Sequence, residues 1–219
     1  VKKKNAPNVD PLELFVTLVA GAENLSVNAA RALLRLRRAQ LAARDGAKGA
    51  LLKLELRDEK LDLLATVGKS QLLPDVFKLM VLELMESFPA RTGQLRRLLR
   101  GGPIGPDLRL VAPGCEERIF DQDDVAASIL WASAKPILES LAAGLLRHRK
   151  SPLPKSNNCP LCGGRAYGKQ RRKLLCGLCE TRWQGDEKAQ SIEADLEAFH
   201  AQPLVELVRN LEQSPEPAA

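Results

Sequence analysis

Four of the five cysteines fall within 21 residues as two C-x-x-C pairs, Cys159-Pro160-Leu161-Cys162 and Cys176-Gly177-Leu178-Cys179, with thirteen residues between them. That spacing suits a soft metal ion. Each pair can form a tight knuckle whose sulfurs converge, with the backbone amides after the first cysteine aimed back at the thiolates. Two knuckles then supply a tetrahedron of sulfurs of the kind that holds zinc or iron. Gly163 and Gly177 stand where the chain must turn with positive φ or approach a sulfur closely. The intervening stretch, Tyr167 to Leu175, reads as a short hairpin that brings the knuckles together. Four thiolates close the coordination sphere, whereas a catalytic zinc keeps a position open. The expected role is structural, for one Zn or Fe ion at Cys159, Cys162, Cys176 and Cys179, and no enzymatic activity is expected.

Charge surrounds this motif unevenly. Arg147 to Lys173 holds nine bases and no acid, and Gln184 to Ala219 holds eight acids and two bases. Zn²⁺ with four thiolates carries −2. Arg165, Lys169, Arg171, Arg172 and Lys173 offset that charge and lower the thiol pKa values. Arg171, Arg172 and Lys173 at the hairpin tip, with Trp183, are candidate partner contacts. The ordinary alternatives are a solvated face that balances the thiolates, and a Trp183 that packs against the knuckles together with Tyr167. Cys115 lies beside Glu116 and Glu117, which disfavour a reactive thiolate. His148 and His200 stand in no catalytic pattern, and Asp121, Asp123 and Asp124 read as helix-start charge. Gly101-Gly102-Pro103-Ile104-Gly105 lacks the strand–helix context of a nucleotide loop.

The remaining elements read as helices. Hydrophobic residues make up 45% of the 219 and aromatics only 4%, so the apolar mass is Leu, Ala and Val, which favours helix on helix over a β-sandwich. Asp10-Pro11-Leu12-Glu13 is a helix start, with Asp10 as cap and Pro11 at the first helical position. A second helix is expected from Ser26 to Arg44, with Val27, Ala30, Leu34 and Leu41 as its apolar stripe and Asp45-Gly46 as its stop. Leu51 to Leu56 is ambiguous, Asp58 to Val67 reads as helical, and Pro74-Asp75 opens a helix with Val76, Met80, Leu84 and Phe88 on one side. Thr92 to Arg100 is a short basic helix, with Arg96, Arg97 and Arg100 facing solvent, and 101–118 is a Gly/Pro-rich loop. Asp121 to Lys150 is the clearest long helix, with Val125, Ile129, Ala132 and Ile137 inward and a kink or break expected at Pro136. A last amphipathic helix covers about 187–212. The implied domains are a helical 1–150, a metal module 151–184 and a helix with tail 185–219. No apolar run reaches membrane-spanning length and Val1-Lys2-Lys3-Lys4 shows no secretory signal. Both point to a reducing, cytoplasmic setting.

Cys-Pro-Leu-Cys-Gly-Gly at 159–164, followed by Leu174-Leu175-Cys176-Gly177-Leu178-Cys179-Glu180-Thr181-Arg182-Trp183, resembles the formate dehydrogenase accessory protein (FdhE) family. The resemblance covers roughly 120–184. It implies a mainly α protein with rubredoxin-like metal-binding parts, located in the cytoplasm, that assists maturation of a formate dehydrogenase. Its partner would then be the catalytic subunit of such an enzyme. The four cysteines match the family's first metal site. The family has a second pair of knuckles, whereas this chain passes from Trp183 to an acidic helix. The expected architecture is a helical N-terminal domain, a small rubredoxin-like or zinc-ribbon module and a C-terminal helix. Two other functions fit the motif: a zinc-ribbon nucleic-acid binder using 147–173, and an iron electron-transfer protein.

Overall fold

The helix starts that the sequence marks are built as the chemistry requires. In the computed structural model, which describes residues 10–51, 63–101, 108, 125–149, 151–164, 166–170, 173–185 and 196–213, the side chains of 48–51, 101, 167–170 and 196–203 excepted, helix α1 spans Pro11–Ala22. The Asp10 carboxylate accepts from the Leu12 amide at 2.9 Å and caps it. The chain leaves α1 through Asn24 in the left-handed region (φ 52), a common helix ending. Ser26 then caps α2, its hydroxyl accepting from the Ala29 amide at 3.2 Å.

Helix α2 spans Val27–Leu51 and does not stop at Gly46. A Gly costs only about 1 kcal/mol in a helix interior, and packing over 25 residues overrides it. The buried stripe also differs from the expected one. Val27 is 68% exposed and Leu41 is exposed, while Ala29, Ala32, Leu33, Leu36, Ala39 and Gln40 are buried. Small alanines on that side let a neighbouring helix approach closely, and this outweighs the larger but sparser Val27/Leu34/Leu41 set.

Helix α3 spans Leu63–Gly68 and α4 Leu72–Ser87. Helix α4 starts two residues before Pro74, whose missing N–H is no loss in a first turn. Val76, Met80, Leu84 and Phe88 are all buried, as the periodicity implies. A 3-10 turn at Pro89–Arg91 leads into α5, Thr92–Gly101, whose Arg96, Arg97 and Arg100 are exposed. Helix α6 spans Val125–His148 and runs through Pro136 without a break. Helix α7 spans Leu196–Gln213. The expected elements at 52–62 and 186–195, most of the loop 101–118, Cys115 and Asp121–Asp124 lie outside the described residues.

Helix α6 is the axis of the body. Helices α2, α3, α4 and α7 all pack on it, α1 packs on α2, and α5 on α4. By length and composition α6 is long and apolar enough to cross a membrane, although Lys135 and Glu139 interrupt its apolar run. In this fold 83% of its apolar window is buried inside the protein. Leu204, Val205, Leu207, Val208 and Leu211 of α7 close the same core. The buried Arg91 donates from Nε to the Leu211 carbonyl at 3.0 Å, capping the C-terminal turn of α7.

A small antiparallel sheet follows α6. Its order is β1 (Ala166–Gln170), β2 (Lys173–Cys176), β3 (Arg182–Trp183). The expected hairpin is β1–β2, with Gln170 opposite Lys173 and Ala166 opposite Cys176. Strand β3 is an addition that sequence periodicity is too short to signal, and it sets Trp183 opposite Leu174.

Candidate metal centre

The four sulfurs lie within 4.8 Å of one another and all four cysteines are buried and free of disulfides. Cys159–Cys179, Cys162–Cys176 and Cys162–Cys179 are separated by 3.6, 3.5 and 3.4 Å. A regular tetrahedron around an ion bonded at ~2.3 Å has sulfur–sulfur edges of ~3.8 Å. A disulfide needs ~2.05 Å. The site therefore has the donor type, number and spacing to hold one metal ion.

Local backbone geometry explains the convergence, and the two knuckles repeat it. In the first, the Gly163 amide donates to the Cys159 carbonyl at 2.8 Å and the Cys159 amide to the Gly164 carbonyl at 2.7 Å. In the second, the Glu180 amide donates to the Cys176 carbonyl at 3.2 Å and the Cys176 amide to the Thr181 carbonyl at 2.9 Å. The Leu178 amide points to Cys176 Sγ at 3.4 Å, and the Leu161 amide bonds Cys159 Sγ. Amides after the first cysteine of each pair thus face sulfur.

The left-handed residue follows the second cysteine of each knuckle: Gly163 at φ 74 and Glu180 at φ 59. Gly177 is not in that region; the turn places the reversal three residues later. Gly164 has a different reason to be glycine. A Cβ there would stand 2.8 Å from Leu178 Cδ1, 2.9 Å from Leu178 Cγ and 3.2 Å from Cys176 Sγ.

Cys159 is held below the ordinary thiol value by its hydrogen bonds with the Cys162, Cys176 and Cys179 sulfurs. Cys162 and Cys176 are pushed up, first because they are hydrogen-bonded to Cys159, with burial adding to the effect. A dication held among the sulfurs would favour the thiolate form. Thr181, buried with its hydroxyl 3.1 Å from Cys179 Sγ, supplies a further polar contact to the cage.

Trp183 is 2% exposed and its indole N–H donates to the Ser156 carbonyl at 2.8 Å. It ties the 151–158 approach segment to the sheet. It is therefore part of the module's interior and, contrary to the expectation that it contacts a partner, presents no face to one. Lys173 is exposed at the start of β2, and Arg171 and Arg172 lie outside the described residues. His148 is exposed at the end of α6.

The module is joined to the helices by polar side chains that belong to no sequence motif. Glu180 pairs with Arg44 of α2 at 3.7 Å, Arg44 also reaches Glu139 of α6 at 3.4 Å, and Glu139 bonds Lys135 at 2.5 Å. Lys135 and Glu139 sit i,i+4 inside an otherwise apolar helix, a spacing that signals a paired buried charge. Compared with protein-family models, curated proteins and solved structures, the chain matches none of them.

Proposed function

We propose that the protein is a non-catalytic accessory factor that binds a client metalloenzyme during its maturation, with the four-cysteine site as a structural metal centre. The observation that carries the reading is the closed cage. Four buried sulfurs at tetrahedral spacing leave an ion no vacant coordination position, so the metal shapes a surface instead of activating a substrate. A three-stranded sheet of this size cannot fold on burial alone, so the ion and the module's fold stand or fall together. The knuckles and hairpin support a rubredoxin-like or zinc-ribbon module.

The motif's resemblance to the formate dehydrogenase accessory proteins supplies the client: the catalytic subunit of a formate dehydrogenase-like enzyme, met in the cytoplasm. Lys173 at the start of β2, with Arg171 and Arg172 before it in the sequence, are the contacts proposed. The nucleic-acid reading is less favoured because the burial of Trp183 removes one of the aromatic faces on which bases would stack.

The test is capture of purified client subunit by metal-loaded protein across a salt series, with elemental analysis of the same sample. Specific capture that falls only modestly with salt supports the reading. Steep salt loss with preference for RNA or DNA supports the nucleic-acid binder. A reversible redox couple with stoichiometric iron supports electron transfer. Arg171→Glu with Arg172→Glu should keep the metal and lose the client; retained capture removes these arginines from the interface.

A further inference from the structure

The two knuckles share a backbone plan and differ in one buried side chain. The Cys159 amide bonds the Gly164 carbonyl just as the Cys176 amide bonds the Thr181 carbonyl. Positions 164 and 181 are therefore counterparts, each two residues after the second cysteine of its pair. Position 164 has no room for a side chain, since a Cβ there would stand 2.8 Å from Leu178 Cδ1 and 3.2 Å from Cys176 Sγ. Position 181 carries a threonine, 1% exposed, whose hydroxyl lies 3.1 Å from Cys179 Sγ. Of the two knuckles, only the second offers the cage a side-chain hydroxyl.

How well that hydroxyl is matched depends on what the sulfur carries. With a proton on Cys179, the thiol donates to Thr181 Oγ1. The hydroxyl's own proton then meets no acceptor among the described residues, which is costly for a buried group. A sulfur bound to a metal carries no proton and can only accept. The hydroxyl then turns its proton toward Cys179 Sγ, and the donor is matched by an anionic acceptor, the stronger kind of hydrogen bond.

The surroundings hold the contact in place. The Thr181 carbonyl is fixed by the Cys176 amide at 2.9 Å, and a β-branched side chain has few χ1 positions to choose from. Cys179, Leu178 and Trp183 are all buried, so water does not compete for the sulfur. A hydrogen bond shielded in this way is electrostatically stronger than one in water.

We propose that Thr181 is a positioning residue of the metal centre: with an ion bound, its hydroxyl donates to the Cys179 sulfur, holds that ligand in place and takes up part of its negative charge. This role rests on the four-cysteine site holding a metal. It makes the four ligands unequal, because Cys179 then gives less electron density to the ion than it would without the hydroxyl. Outer-shell partners of this kind typically account for about 10- to 100-fold in metal affinity.

The test uses the full chain at one pH, loaded with Zn²⁺ for affinity and with Co²⁺ for spectroscopy. Thr181→Val keeps the shape and removes the hydroxyl, whereas Thr181→Ser keeps the hydroxyl and removes a methyl. Competition against a chelator should show zinc held about 10- to 100-fold more weakly by Thr181→Val and close to wild type by Thr181→Ser. The sulfur-to-cobalt charge-transfer band should move to lower energy in Thr181→Val and stay in place in Thr181→Ser, a pattern that a packing role does not produce. If Thr181→Val folds poorly, Thr181→Ala set against Thr181→Ser isolates the hydroxyl at nearly matched volume. Wild-type affinity and band in a variant without the hydroxyl, or a serine variant as impaired as the valine or alanine one, would overturn the proposal and leave the metal centre standing. A wild-type chain that takes up neither ion would overturn the metal centre itself, and this proposal with it.

Discussion

Replacing Gly164 by alanine tests whether the knuckles are packed as tightly as the metal geometry requires. The added Cβ would meet Leu178 Cδ1 at 2.8 Å and Cγ at 2.9 Å, and Cys176 Sγ at 3.2 Å. Leu178 is 3% exposed, so it has little room to withdraw, and its Cγ is not the free end of the chain. Cys176 Sγ is fixed once it holds an ion. Overpacking at such a site costs about 1–3 kcal/mol. Metal binding and module folding are one equilibrium, so the cost is read as affinity. At about 1.4 kcal/mol per factor of ten, zinc should bind roughly five- to 150-fold more weakly. Competition against a chromogenic chelator measures it directly. Gly163→Ala is the matched control, since nothing lies within 4 Å of its Cβ but φ is +74. Its cost is backbone strain of roughly 1–2 kcal/mol, or about five- to thirtyfold. Gly163→Asn should recover part of that, because asparagine tolerates the left-handed region. Gly164→Ala protein with undiminished zinc affinity would refute the packing argument, and Gly163→Asn no better than Gly163→Ala would refute the backbone one.

Cys176→Ser should abolish stoichiometric metal and the sheet while the far-ultraviolet helical signal persists; elemental analysis and circular dichroism together check it. Trp183→Ala removes a fully buried ring and its bond to Ser156, at a cost of about 3–5 kcal/mol. It should speed metal loss to a chelator many-fold, and an unchanged rate contradicts the packing role. Asp10 is held below its ordinary value of 3.8, chiefly by the Leu12 amide and then by Arg38. A depressed carboxylate stabilises the fold above its unfolded value and loses that effect as pH falls through the folded one. Asp10→Ala should therefore be less stable than wild type at neutral pH, and the gap should close in acid; a gap constant across that range denies the cap its charge.

Sequence alone determined the four-cysteine cluster and most helix identities, because both are local. Two C-x-x-C spacings confine four sulfurs whatever surrounds them, and Asp10-Pro11 or the Val76/Met80/Leu84/Phe88 stripe encode a cap and a buried face within a few turns. Other features needed the whole fold. The buried side of α2 differs from the expected stripe because apolar residues occupy more than one stripe of that helix. Only the approach of α6 selects the alanine-lined one, which turns Arg37 and Gln40 inward and leaves Val27 and Leu41 in water. Gly46 failed as a stop because a tenuous local preference of about 1 kcal/mol yields to packing along the full helix. Glu180 gave no signal as a turn residue, since its left-handed backbone follows from closure of the knuckle. A polar recess joining Arg37, Arg44, Lys135, Glu139 and Glu180 draws on three segments separated by many tens of residues. Long-range assembly of charge has no periodicity to read; it exists only once hydrophobic burial has brought those segments together.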